Sequence, residues 1–151
     1  MNYAADTVAD AEIDSGPTKG SLIALIQAAR TVQDELERAL ETIGLSPAKY
    51  QALDALVRAG QPLALSELAG CLNCVRSNIT QLADRLEADG LVRRVDDASD
   101  RRAIRAVVTP LGVERHGAAT EVLQELQLAF SSRMSPADEK AFVRVLATLR
   151  P

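Results

Sequence analysis

Tryptophan is absent, aromatic residues make up 3% of the chain, and histidine occurs once. So few stacking platforms exclude a protein that holds single-stranded nucleic acid by layering bases on rings. One histidine and no glycine-rich phosphate loop leave little for a nucleophile–base pair, a phosphate cradle or a catalytic metal, so the chain is not expected to be an enzyme or to carry a cofactor. His116, beside Gly117 on an expected helix, reads as a surface or ligand-facing residue rather than a base. Cysteine is limited to Cys71 and Cys74, too few for a disulfide framework. No apolar run approaches the about 18 residues that span a membrane. An excess of basic charge is missing too. The formal net charge of -4 argues against a general polyanion binder.

What is present is unevenly distributed. Between residues 75 and 105 lie seven arginines and six acids, a local net of +1, which leaves -5 for the rest of the chain. All the bases there are arginine, whose fork suits phosphates and base edges. The start, "MNYAADTVADAEIDSGPTKG", is acidic and lacks a basic segment followed by an apolar one. Residues 1–19 therefore read as a mobile leader, residues 20–151 as one domain, and the cytoplasm as the expected compartment.

Apolar positions at Leu22, Leu25, Ile26, Ala29, Val32, Leu36, Leu40 and Ile43 predict a long amphipathic helix over 21–44. Ser46-Pro47 starts a second helix that ends at Gly60. "QPLAL", 61–65, reads as an extended link, and Ser66 as the opening of a short helix over 66–72. A tight connection follows, then a helix over 76–90 with Val75, Ile79, Leu82, Ala83 and Leu86 inward. Its opposite side shows Ser77, Thr80, Gln81 and Asp84, with Arg76, Asn78 and Arg85 flanking. "LVRRV" (91–95) and "AIRAVVT" (103–109) are β-branched runs around a polar tip and predict a hairpin. Thr109-Pro110 and Ser135-Pro136 start two more helices, the last carrying Ala141, Phe142, Val145, Leu146 and Leu149 at helical spacing.

A short helix, a tight turn, a helix with a polar outer side and an appended hairpin describe a winged helix-turn-helix. The second helix can enter a major groove, where Arg, Asn and Gln match base edges. The wing tip would then explain "DASDRR", 97–102. Arg101 or Arg102 serves as the cation for a narrow minor groove or a phosphate. Asp100 holds a neighbouring arginine by a charge-assisted bond.

The stretch "LSELAGCLNCVRSNITQLADRLEADGLVRRVDDASDRRAIRAVVTPLG", 65–112, resembles the MarR family of transcription regulators. The carrying positions are Leu68-Ala69 and Leu72; Thr80, Leu82 and Leu86; Gly90-Leu91-Val92 and Arg94; Asp100 and Arg102; Thr109 and Gly112. The likeness extends over about 20–150. It implies a mainly α (α+β) fold: a winged-helix lobe at about 46–109, and helices at about 20–44 and 110–150 forming a dimerisation lobe. It implies a homodimeric repressor on a pseudo-palindromic double-stranded operator, with half-sites about one helical turn apart, no membrane partner and a small phenolic or anionic effector. The DNA-contacting residues it implies are Arg76, Ser77, Asn78, Thr80, Gln81 and Arg85 on the recognition helix, and Arg102 with Arg101 and Asp100 on the wing. Val75 stands where a Ser or Thr commonly caps that helix, so Asn73 is an alternative cap.

Cys71 and Cys74 straddle the turn of the helix-turn-helix, and three readings stay open. They are a buried structural pair, since free cysteine packs as a small hydrophobe; a redox switch near Arg76; or half of a zinc site. The competing function is a winged-helix module that binds protein rather than DNA.

Overall fold

The computed structural model describes residues 19–72, 76–97 and 104–149, leaving aside the side chains of 19–21, 76 and 77. The described residues divide into two compact units between Glu35 and Leu36. Helix α1 (Lys19–Glu41) begins in the first, where Leu22, Ile23, Leu25, Ile26 and Val32 are exposed. The second holds α2 (Pro47–Ala59), β1 (Leu63–Ala64), α3 (Leu65–Cys71), α4 (Arg76–Ala88), β2 (Val92–Asp96), β3 (Ile104–Val108), α5 (Pro110–Ser131) and α6 (Pro136–Thr148).

The helix starts obey local chemistry. Ser46, Thr109 and Ser135 each have extended backbone, and each hydroxyl oxygen accepts the amide hydrogen three residues on, with proline at the first helical position. That satisfies one of the orphan donors of a first turn. Gly60, at φ 62°, closes α2 with its amide on the carbonyls of Leu56 and Val57.

Two expectations need correction. Ser66 does not cap α3; it lies inside the helix, whose cap position is Ala64. Alanine has no side-chain acceptor for the first-turn amides, and the contact made here is the reciprocal one, the Ala64 amide donating to the Glu67 carboxylate at 2.7 Å. The link at 61–65 is not merely extended. Leu63–Ala64 pairs antiparallel with β3, so the expected hairpin is a three-stranded sheet in the order β1-β3-β2. A third strand relieves the marginal stability of an isolated hairpin.

The core draws on every element of the second unit except β1 and α6. Leu40, Leu45, Leu53, Leu56, Leu68, Ile79, Leu86, Leu91, Val92, Ala106 and Ala119 are buried together. A fully buried leucine of this kind contributes about 2 kcal/mol. Half-buried Tyr50, Leu63, Leu72, Leu82 and Val108 pack around them.

One joint ties the wing's root to α5. The Thr109 amide donates to the Leu91 carbonyl at 3.0 Å. Its hydroxyl donates to the Gly90 carbonyl at 2.7 Å and accepts from the Gly112 amide at 3.0 Å. Gly90 has φ 72°, a left-handed value that favours glycine. Gly112 is buried for a different reason: a Cβ there would stand 2.1 Å from the Leu91 carbonyl oxygen and 2.8 Å from a Val108 methyl. Three positions of the family pattern thus have one physical origin, a backbone crossing with no spare room.

Candidate nucleic-acid interface

Helix α4 divides cleanly. Ile79, Ala83 and Leu86 are buried and Leu82 is half-buried, which fixes its roll against the core. The opposite side presents Asn78, Thr80, Gln81, Asp84 and Arg85 to solvent. Arg76 and Ser77 begin this helix, but their side chains lie outside the described residues, as do Asn73, Cys74 and Val75. The row therefore carries amide, hydroxyl and guanidinium groups of the kinds that match base edges and phosphates.

Beside α4 stand the wing strands. Their register pairs Val92 with Val108, Arg94 with Ala106 and Asp96 with Ile104. Asp100, Arg101 and Arg102 fall in the segment 98–103, outside the described residues. The strands that lead to that segment are anchored. Arg105 Nε donates to Asp97 Oδ2 at 2.6 Å, and its Nη1 donates to the Pro62 carbonyl at 3.0 Å. Glu67 lies 3.5 Å away. Asp97, 8% exposed, is the buried acid among the described residues. Its hydrogen bond and then its charge hold the Arg105 guanidinium above its ordinary pKa against the opposing effect of desolvation, with Glu67 adding to the rise. Sequence inspection missed Arg105 as an anchor, because its partners sit 8 and 38 residues away.

Two other sites behave unlike their sequence readings. Cys71 is free and exposed, which rules out a buried role for that thiol. Of the two readings of His116, surface or ligand-facing, the surface one fails, since its ring is largely buried. It stacks parallel on Tyr50 with ring centres 5.5 Å apart, and its Nε2 lies 3.1 Å from Asp54 Oδ1. Asp54 also pairs with Arg58, at 2.9 Å. The same side of α2 lines an open cleft of about 640 Å³ with Leu63, Cys71 and Leu72. Among the described residues no acid, cysteine and histidine group is placed to hold a metal ion.

A helix-turn-helix framed by an antiparallel wing is the winged-helix class. Comparison with known proteins narrows it. A MarR family profile matches residues 43–103. The HTH-type transcriptional regulator PrsX of Escherichia coli is 35% identical over 89 residues, covering 58% of this chain and 54% of PrsX. The chain thus spans about half the length of that relative. A Thauera aromatica protein named as a transcriptional regulatory protein for the hcr operon is 30% identical over 132 residues, 87% of this chain and 74% of that protein. Among solved structures, AbsC of Streptomyces coelicolor, a MarR family transcriptional regulator, superposes with a TM-score of 0.73 at 26% identity, covering 84% and 87% of the two chains. A mutant MarR from E. coli, complexed with operator DNA, gives a TM-score of 0.73 at 20% identity over 87% and 93% and shows the shared fold. The chain belongs to the MarR family. Among the described residues no helix is long and apolar enough to cross a membrane.

Proposed function

We propose that the chain is a homodimeric, sequence-specific regulator of transcription that binds double-stranded DNA through α4 and the wing. The observation that carries this is the two-sided α4: a buried apolar face sets its roll, and Asn78, Thr80, Gln81 and Arg85 face outward beside the anchored wing strands. The relatives PrsX and the Thauera protein are regulators by name, and the E. coli neighbour is seen with operator DNA. Arg76, Ser77 and the wing residues Asp100, Arg101 and Arg102 complete the proposed contact set. The dimer is supported by α6, where Val143, Val145, Leu146 and Leu149 are exposed.

Release by a small phenolic or anionic effector finds a candidate cleft beside Tyr50, Asp54 and Arg58. Release by oxidation is supported by the exposed Cys71 thiol at the edge of the same cleft. Peroxide treatment that leaves operator affinity unchanged removes the second route.

The deciding experiment selects duplexes from a random pool with the wild-type protein, then measures affinity for the winner across salt concentrations. A log-log slope corresponding to several neutralised phosphates, about -0.9 for each, supports the reading. A flat salt dependence and no enriched sequence favour the protein-interaction module instead.

A further inference from the structure

One member of the outward row on α4 does not suit a DNA-facing surface. Asp84 is exposed, one turn beyond Thr80 and Gln81. A bare carboxylate there repels phosphates, and its range in water extends over roughly 8–10 Å at ordinary salt.

Arg94, on wing strand β2, answers that charge. Successive strand side chains alternate, so Arg93 points to solvent and Arg94 turns to α4. Arg94 Nη2 donates to Asp84 Oδ1 and lies 3.4 Å from the Thr80 carbonyl oxygen. Its backbone amide donates to Glu87 Oε1 at 3.0 Å, and its Nε lies 3.7 Å from Glu87 Oε2. Among the described residues that Nε has no hydrogen-bond acceptor. One residue of the wing therefore grips α4 from Thr80 to Glu87, a length of about 10 Å at the usual helical rise. Its side chain is 25% exposed, so most of it is spent on α4.

We infer that Arg94 is a positioning residue for sequence recognition, acting through Asp84. The pair fixes α4 against the wing strand, so that groove contacts from Gln81 and Arg85 and minor-groove contacts from the wing are made in one register. It also cancels the one carboxylate on the reading face that would oppose DNA. This inference rests on DNA binding by α4. It separates Arg94 from the arginines that touch DNA: a phosphate contact adds affinity to every sequence equally, whereas a register device adds discrimination.

The test uses the full chain, the duplex selected by the wild type, and a scrambled duplex of equal length. Asp84→Asn alters an exposed side chain, and Arg94→Met keeps the stem while removing the charge. Each is expected to lower the ratio of specific to scrambled affinity about tenfold, the effect of one misread base pair. The salt slope is expected to stay that of the wild type. The double variant is expected to be no worse than the worse single variant, because the two residues act as one unit. If Arg94→Met does not fold, Asp84→Asn alone decides. An unchanged ratio in Asp84→Asn overturns the inference. So do additive effects in the double variant, or a slope in Arg94→Met shallower by one phosphate with the ratio intact. Failure of the wild type to bind any duplex in a salt-dependent way overturns the underlying DNA-binding reading instead.

Discussion

Helices α2 and α6 are near twins in sequence design and opposites in fate. Each has 13 residues, a serine cap and proline at its first position. Helix α2 buries Ala52, Leu53 and Leu56. Helix α6, among the described residues, buries none, and Val143, Val145 and Leu149 are each more than half exposed. Its Phe142 is tilted against Phe130 of α5 at 5.8 Å. Local signals therefore decide that a helix forms, and the rest of the chain decides whether its apolar side is covered. A run of exposed valine and leucine on an otherwise well-capped helix is the surface that the proposed dimer would cover.

The comparison can be broken at several points, beginning with the most severe. Gly112→Ala pushes a methyl into the Leu91 carbonyl and is expected to cost about 4 kcal/mol or more in urea unfolding. Gly117→Ala, in the same helix but with open space around it, is expected to stabilise by up to about 1 kcal/mol. Equal effects would show that the α5 joint tolerates displacement.

Next comes the pair Val145→Glu with Leu149→Glu. It is expected to raise the dimer dissociation constant about 100-fold, or about 3 kcal/mol, by sedimentation. The circular dichroism signal should stay helical. A dimer that survives both changes would move the interface away from α6.

Arg102→Ala is expected to weaken operator binding by about 2 kcal/mol while leaving the dimer intact. Unchanged affinity would remove Arg102 from the contact set.

The gentlest comparison is between the two caps. Ser46→Ala is expected to cost about 1 kcal/mol of unfolding free energy at every protein concentration. On the proposed dimer, where association would stabilise α6, Ser135→Ala should cost a similar amount only at concentrations that populate the dimer. Identical concentration dependence for both would make α6 an ordinary intrachain helix.

Much of this was legible in advance, for a physical reason. A cap, a proline and an apolar spacing act within four residues, so Ser46, Thr109 and Ser135 announce their helices directly. Gly112 was visible as part of a pattern, but its cause was not. That lies in Leu91 and Val108, brought near only by the fold. Strand β1 escaped notice because two residues become a strand only when β3 arrives beside them. Ser66 misled because the cap position lies two residues before it, at Ala64, whose amide donates to Glu67. Of the three readings open for Cys71, the buried apolar one fails, since the thiol is exposed. Arg94 stood in the motif, while the carboxylates that give it a task are 10 and 7 residues away. The partner of His116 is 62 residues distant.

The Tyr50–His116 stack gives the experimenter a built-in lamp. With no tryptophan to absorb its excitation, tyrosine emission is observable directly, and the chain holds only Tyr3 and Tyr50. Tyr50 lies flat against an imidazole contributed by α5. Its quantum yield and lifetime therefore report whether α2 and α5 remain face to face, without any attached dye.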